Sequence, residues 1–420
     1  MTLSSISVAA LVATIAVSCT SRINVGLLAI ALAWIVGVYI GPKYGQELLA
    51  KDVIAGFPSP LFVTLVGVTL FFTLAQINGT LEQVARAAER CCRGQVGLVP
   101  PMFFVLASLL STIGAGNIGA AALVAPMAAA VATRTGIPMF LMVLMVGHGA
   151  IAGGLSPFTP MGIIAQRELV KMGLTEHIWP TYQYNLAANA LVAFTGYLFF
   201  GGGRLLFRPA SAAATSTSEP EAVPFRATHA VTLIIMTALI LGVVFGRADV
   251  GLAAYAAATV MILLQLADER RAFAAMPWSV IVMVCGMTML VAVVEKTGGL
   301  DLFTKLLASG ATRQTLVPLI AWATGVISVF SSTSGVVLPT FLPTVPGLVE
   351  QVGGDLFSVA TAINIGSGVV DVSPVSTIGA LCIAPVTADE QRTKLFRAVL
   401  MWGLSMSLAG ALVSWLLLRS

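Results

Sequence analysis

Charged residues are scarce in this chain. Asp, Glu, Lys and Arg make up 10% of its 420 residues against 58% hydrophobic, where a soluble domain carries about a quarter charged. So few charges cannot cover a globule of this length, which excludes a soluble fold. Histidine occurs three times, and no His-Glu-x-x-His zinc motif is present. The five cysteines, Cys19, Cys91, Cys92, Cys285 and Cys382, show neither metal-ligand spacing nor a disulfide framework. The net charge of +4 is scattered over loops and forms no basic stripe, so nucleic acid is excluded as a partner. The composition fits neither disordered nor collagen-like chains.

What the chain has is apolar runs of the length that spans a hydrocarbon core as helix. Full-length candidates fall near 5–20, 24–41, 60–78, 137–165, 182–203, 228–246, 249–266, 277–294, 357–384 and 395–418. The first has no basic residue before it and no small-x-small cleavage site, so it reads as a transmembrane helix and not as a signal peptide. Two further stretches, 97–133 and 314–348, are too long for one span and are interrupted by Gly, Ser, Thr or Asn. Each predicts a re-entrant hairpin, tolerated in a bilayer only where its tip is buried in protein or lines water. The linker 204–227, rich in Ala, Ser, Thr, Pro and Glu, divides the chain into 1–203 and 228–420.

The two parts are related. Pro126 and Pro343 are 217 positions apart (343 − 126), and the same shift places Ser111 on Ser328, Pro60 on Pro277 and Thr80 on Thr297. It also maps Ser156-Pro157-Phe158-Thr159-Pro160-Met161-Gly162 onto Ser373-Pro374-Val375-Ser376-Thr377-Ile378-Gly379. Five spans per repeat is an odd number, so the second repeat enters the membrane upside down, as in many secondary transporters. The expected fold is an all-α polytopic membrane protein of two inverted-topology repeats, each with five transmembrane helices, a re-entrant hairpin and a broken helix. The face carrying the linker, with Arg86, Arg90, Arg93, Arg204, Arg208, Arg226, Arg270 and Arg271 among others, is the richer in basic residues. The positive-inside rule makes that face cytoplasmic and both termini periplasmic, in a bacterial inner membrane.

Four interruptions concentrate the candidate chemistry. The hairpin tips read Ser111-Thr112-Ile113-Gly114-Ala115-Gly116-Asn117-Ile118-Gly119 and Ser331-Ser332-Thr333-Ser334-Gly335. The helix breaks read Gly153-Gly154-Leu155-Ser156-Pro157 and Asp371-Val372-Ser373-Pro374. Small residues also serve close helix packing, but four such motifs in one register favour a binding site. Half-helix N-termini bind a carboxylate without a buried Arg or Lys, while carbonyls and neutral side-chain oxygens hold Na⁺. Intramembrane ionisable residues are functional candidates. Asp371 is open to a role as proton carrier, cation ligand or backbone acceptor; His148 reads as a packed hydrogen-bonding group, Glu295 as solvated, and Asn185 and Asn364 as interhelical partners.

On these motifs the chain resembles the divalent anion/sodium symporters of the ion transporter superfamily. Gly116-Asn117-Ile118 and Thr333-Ser334-Gly335 stand where that family has its Ser-Asn-Thr tips. Within the superfamily the whole chain is most similar to the MatC-type malonate/dicarboxylate carriers, notably over Asn117 to Ile164 and Phe330 to Ile383. The resemblance implies a homodimer whose transport domain carries a small dicarboxylate and Na⁺ across the membrane as an elevator, with no resident cofactor. Asn117 matches the cation-binding Asn of the family, and Ser334 takes the equivalent slot as a shorter hydroxyl. With Gly116 and Ile118 in place of hydroxyl residues, substrate contacts are expected from Gly116, Asn117, Ile118, Ser156, Pro157, Thr159, Thr333, Ser334, Gly335, Ser373, Pro374, Ser376 and Thr377. Cation contacts are expected from Thr112, Gly116, Asn117, Gly154, Ser332, Ser334 and Asp371. Coupling to protons through Asp371 or His148, anion exchange, a channel, and an intramembrane hydrolase built on Gly154-Leu155-Ser156-Pro157 are the rival readings.

Overall fold

The computed structural model describes residues 2–20, 23–46, 48–83, 95–206, 224–245, 248–386 and 389–418. Most of the linker lies outside the described residues, as do Arg22, Arg86, Arg90, Cys91, Cys92, Arg93, Arg208 and Arg247. The described chain is all-helical, and large apolar side chains such as Phe199 (81% exposed) and Phe245 (79%) stand on its outside. Such a surface suits lipid and not water.

The first part opens with α1 (Leu3–Thr20), α2 (Val25–Trp34), short α3 (Ala50–Ile54) and α4 (Ser59–Ile77). The hairpin follows as α5 (Val99–Leu110) and α6 (Gly116–Thr135). Helical turns continue almost through the junction, but Gly114 (φ 127°) and Gly116 (φ 70°) take conformations that only glycine adopts readily and reverse the chain there. Both arms pack on α7 (Met139–Gly153), which breaks before α8 (Pro160–Lys171). Then come α9 (Ile178–Phe199) and α10 (Gly202–Leu206).

The second part repeats this order: α11 (Ala227–Val244), α12 (Val250–Leu263), α13 (Glu269–Ala275) and α14 (Trp278–Lys296). Amphipathic α15 (Gly299–Ala308), seen only in the structure, precedes the second hairpin. Its first arm is α16 (Leu316–Phe330). Its return arm differs from the expected single half-helix: it is split into α17 (Leu338–Phe341), a tighter turn at Leu342–Thr344, and α18 (Val345–Val352). Pro339, Pro343 and Pro346 remove backbone donors from that arm and explain the splitting. The broken helix is α19 (Leu356–Val370) and α20 (Thr377–Ile383), and α21 (Asp389–Leu417) closes the chain.

Glycines set the packing. A Cβ at Gly149 would strike the backbone of Phe104, and one at Gly366, its partner 217 positions on, would strike that of Ala321. The first arm of each hairpin is thereby drawn against its broken helix. Across the two parts, Gly67 and Gly251 bring α4 against α12, while Gly26 and Gly286 bring α2 against α14. Hydrogen bonds gather the helix ends. Ser4 donates to Thr297 O (2.8 Å) and Lys296 to Asp52 O (2.9 Å) at one end of the bundle. Asn78 donates to the Thr232 hydroxyl (2.8 Å) and Asn24 to Ser279 O (2.9 Å) elsewhere in the bundle.

Candidate functional site

A cavity of about 180 Å³ lies between the hairpins and the pair α4 and α14. That is below the roughly 300–1,000 Å³ of sites for drug-sized ligands and suits a small metabolite. One wall is the first tip, Gly114 to Gly119, with Ser334 from the second. The opposite wall is the face of α4 carrying Leu65, Thr69, Phe72, Thr73 and Gln76, with Pro277, Val280, Ile281 and Val284 of α14. Pro160, Met161 and Ile164 of α8 complete it. Three helices therefore begin at the cavity: α6 at Gly116, α8 at Pro160 and α14 at Trp278. Each brings a positive dipole end, and the N-cap residue of α6, Ala115, makes no side-chain cap, the Ile118 N–H being taken by Asn117. None of the lining residues is charged.

Of the expected contact residues, Gly116, Asn117, Ile118 and Ser334 line this cavity. Asn117, 6% exposed, accepts from Ile118 N through Oδ1 (3.1 Å), and its Nδ2 lies 3.9 Å from Met161 Sδ. Backbone shape holds the first tip in place, because a side chain at Gly114 would collide with the Phe72 ring. At the second tip, Gly335 lies against the flexible side chain of Met283.

The hydroxyls at the two breaks are committed to the backbone and do not line the cavity. Thr159 Oγ1 donates to Gly154 O (2.5 Å) and Ser156 O (2.9 Å) and accepts from Gly162 N (3.0 Å), capping α8. Ser376, 217 positions later, donates to Asp371 O (2.5 Å) and Ser373 O (2.7 Å) and accepts from Gly379 N (3.4 Å), capping α20. Ser156 donates to Thr112 O (2.7 Å), tying the first break to the first tip. Ser373 accepts weakly from Val375 N (3.4 Å), and Pro157 and Pro374 are buried beside these turns. Thr333 meets Ser328 Oγ (2.6 Å) and Ser367 O, Ser332 caps Gly335 N (3.1 Å), and Thr112 meets Tyr182 OH (3.0 Å). Thr377 is exposed away from the cavity.

Asp371 is buried (4% exposed) with Oδ1 lacking any hydrogen-bond partner. Thr361 and Asn364 share its side of α19, and their polar side-chain atoms are also buried without partners. Asn185 instead donates to Ile151 O (2.8 Å) and Ala152 O (3.2 Å), satisfying carbonyls at the end of α7. His148 is bonded on both ring nitrogens, to Asn189 Oδ1 (3.0 Å) and Trp402 Nε1 (2.9 Å). Ser156 and His148 are thus bonded to different partners and not to each other.

Sequence reasoning missed Thr69, Thr73 and Gln76 as lining residues, although their i, i+4, i+7 spacing on α4 marks one face. It also missed Asn189 and Trp402, whose roles exist only through contact with His148.

Residues 1–154, from the first helix to the end of α7, match the family model described as dicarboxylate carrier protein MatC N-terminus. The match supports a MatC-type dicarboxylate carrier, and with the apolar helices it supports a multi-pass membrane protein. No curated protein matches the chain.

Proposed function

We propose that this MatC-type chain imports a small dicarboxylate, malonate or a four-carbon acid, by Na⁺ symport. The observation that carries the reading is the convergence of three helix N-termini on one uncharged cavity beside Asn117 and Ser334. Such a site takes an anion through amides and dipoles, and neutral oxygens at the tips suit a cation that would offset its charge. Because Thr159, Ser156 and Ser376 are engaged locally, carboxylate contacts fall to the first-turn amides of α6, Asn117 and Ser334.

The hairpins and broken helices form the moving unit and the pairs α2/α14 and α4/α12 the frame, in an elevator of two inverted repeats. Recurrence of the Gly149–Phe104 contact at Gly366–Ala321, and of the Thr159 cap at Ser376, supports that symmetry. A homodimer in the bacterial inner membrane, with periplasmic termini and the linker 204–227 cytoplasmic, completes the reading. The test is uptake of labelled malonate and succinate into proteoliposomes under an imposed Na⁺ gradient. Accumulation above the no-gradient level is expected, and stimulation by no cation gradient would sink symport.

One observation favours a second reading. Asp371 stands where the first repeat has Gly154, and its unpartnered buried oxygen suits a proton acceptor. Proton coupling through Asp371 would give uptake driven by a pH gradient without Na⁺.

A further inference from the structure

The cavity is uncharged, yet a doubly negative ligand needs a second anchor beyond one set of helix ends. Pro160, Ile164 and Arg167 follow at i, i+4 and i+7 and share one face of α8. The first two line the cavity. Pro277 and Ile281 of α14 line it as well, and Cys285 is the next residue of that stripe. Both stripes run away from the tip, on the two helices α8 and α14 that line the cavity together.

Arg167 is only partly exposed, and its Nη1 is buried without a hydrogen-bond partner. The acidic residue beside it, Glu168, is taken by Lys171 Nζ at 2.7 Å. A buried guanidinium N–H left unpaired is costly, and a carboxylate relieves that cost with a charge-assisted, bidentate bond. Seven residues of helix separate Pro160 from Arg167, roughly 10 Å of rise. Side chains on a helix lean toward its N-terminus, which for α8 is the cavity end, while Arg167 itself stands beyond the residues that line the cavity. The residue 217 positions on is Ala384, so the second repeat supplies no matching cation.

We infer that Arg167 is the second anchor of the substrate: one carboxylate rests at the α6 N-terminus beside Asn117, and the other pairs with the Arg167 guanidinium. This rests on the carrier reading above and deepens it, because it makes the chain selective for dianions over monoanions of equal length.

The experiment compares R167Q and R167K with the unaltered chain in proteoliposomes. It measures uptake of labelled succinate and its inhibition by unlabelled succinate or the succinate monomethyl ester. R167Q is expected to raise KM for succinate roughly 10- to 100-fold, the scale of one hydrogen bond to a charged group, and to abolish discrimination against the ester. R167K, keeping the charge without the fork, is expected to fall between. Unchanged KM and discrimination in R167Q overturns the inference alone. Failure of the unaltered chain to take up any dicarboxylate overturns the carrier reading and the inference with it. If R167Q does not fold, R167K decides: a KM and ester discrimination equal to those of the unaltered chain overturn the inference.

Discussion

The indole N–H of Trp402, on the last helix, donates to Nε2 of His148 at 2.9 Å. An indole nitrogen can only donate, so Nε2 must be the accepting nitrogen and the proton resides on Nδ1, facing Asn189 Oδ1 at 3.0 Å. Asn189 in turn donates to Asn185 O (3.0 Å), and Asn185 donates to the carbonyls of Ile151 and Ala152 just before the first break. The chain of bonds requires a neutral imidazole. His148 is thus a structural clamp that joins α7, α9 and α21.

Trp402→Phe keeps most of the packing but leaves Nε2 of a fully buried histidine without a donor. The expected loss is about 1–3 kcal/mol of stability, seen as a lower Tm in detergent. His148→Gln is expected to leave any pH-driven uptake in place; its disappearance in a folded variant would contradict the clamp.

Thr159 and Ser376 hold the two helix breaks by the same three bonds. Replacing either with Ala should cost ~0.5–2 kcal/mol through loss of a cap, and Thr159→Ser should restore the first. Thermal unfolding of the three variants checks this, and equal Tm values for T159A and T159S would refute it.

Gly114→Ala puts a Cβ into the Phe72 ring at a φ of 127° that L-residues rarely adopt. Uptake is expected to fall at least tenfold, since strain of about 1–3 kcal/mol falls on the tip that lines the cavity. Phe72→Ala in the same chain is expected to restore little, because the backbone strain remains; full rescue would show that the ring alone was responsible.

Asn117→Ala and Ser334→Ala remove neutral oxygens from the cavity wall. If they hold the coupling cation, the Na⁺ concentration for half-maximal uptake rises several-fold in each, and more in the double variant. Uptake curves against Na⁺ that superimpose on the unaltered chain would exclude both residues from the cation site.

Asp371→Asn keeps the size of the side chain and removes its titration. Uptake driven by a pH gradient is expected to vanish if Asp371 is the proton acceptor, while Na⁺-driven uptake persists. Proton-driven uptake that survives the substitution would eliminate the second reading.

Membrane class and the positions of the breaks were legible in the amino-acid sequence, whereas α15 and the splitting of the second return arm were not. Run length, Pro and Gly act within a few residues of where they stand, as at Ser156-Pro157 and Gly114. The 217-residue register was legible too, because it needs only the chain compared with itself. The direction in which the hydroxyls face was not. Thr159, Ser156 and Ser376 belong to the motif that marks the breaks, yet they bond to carbonyls three or five residues away or, for Ser156, to Thr112 O at the first tip, and not to the cavity. Tertiary structure alone decided that three helix starts and one asparagine meet at one place. Their elements are brought together by glycine-mediated packing between segments hundreds of residues apart, as Trp402 and His148 also are, and no local pattern encodes a contact of that range.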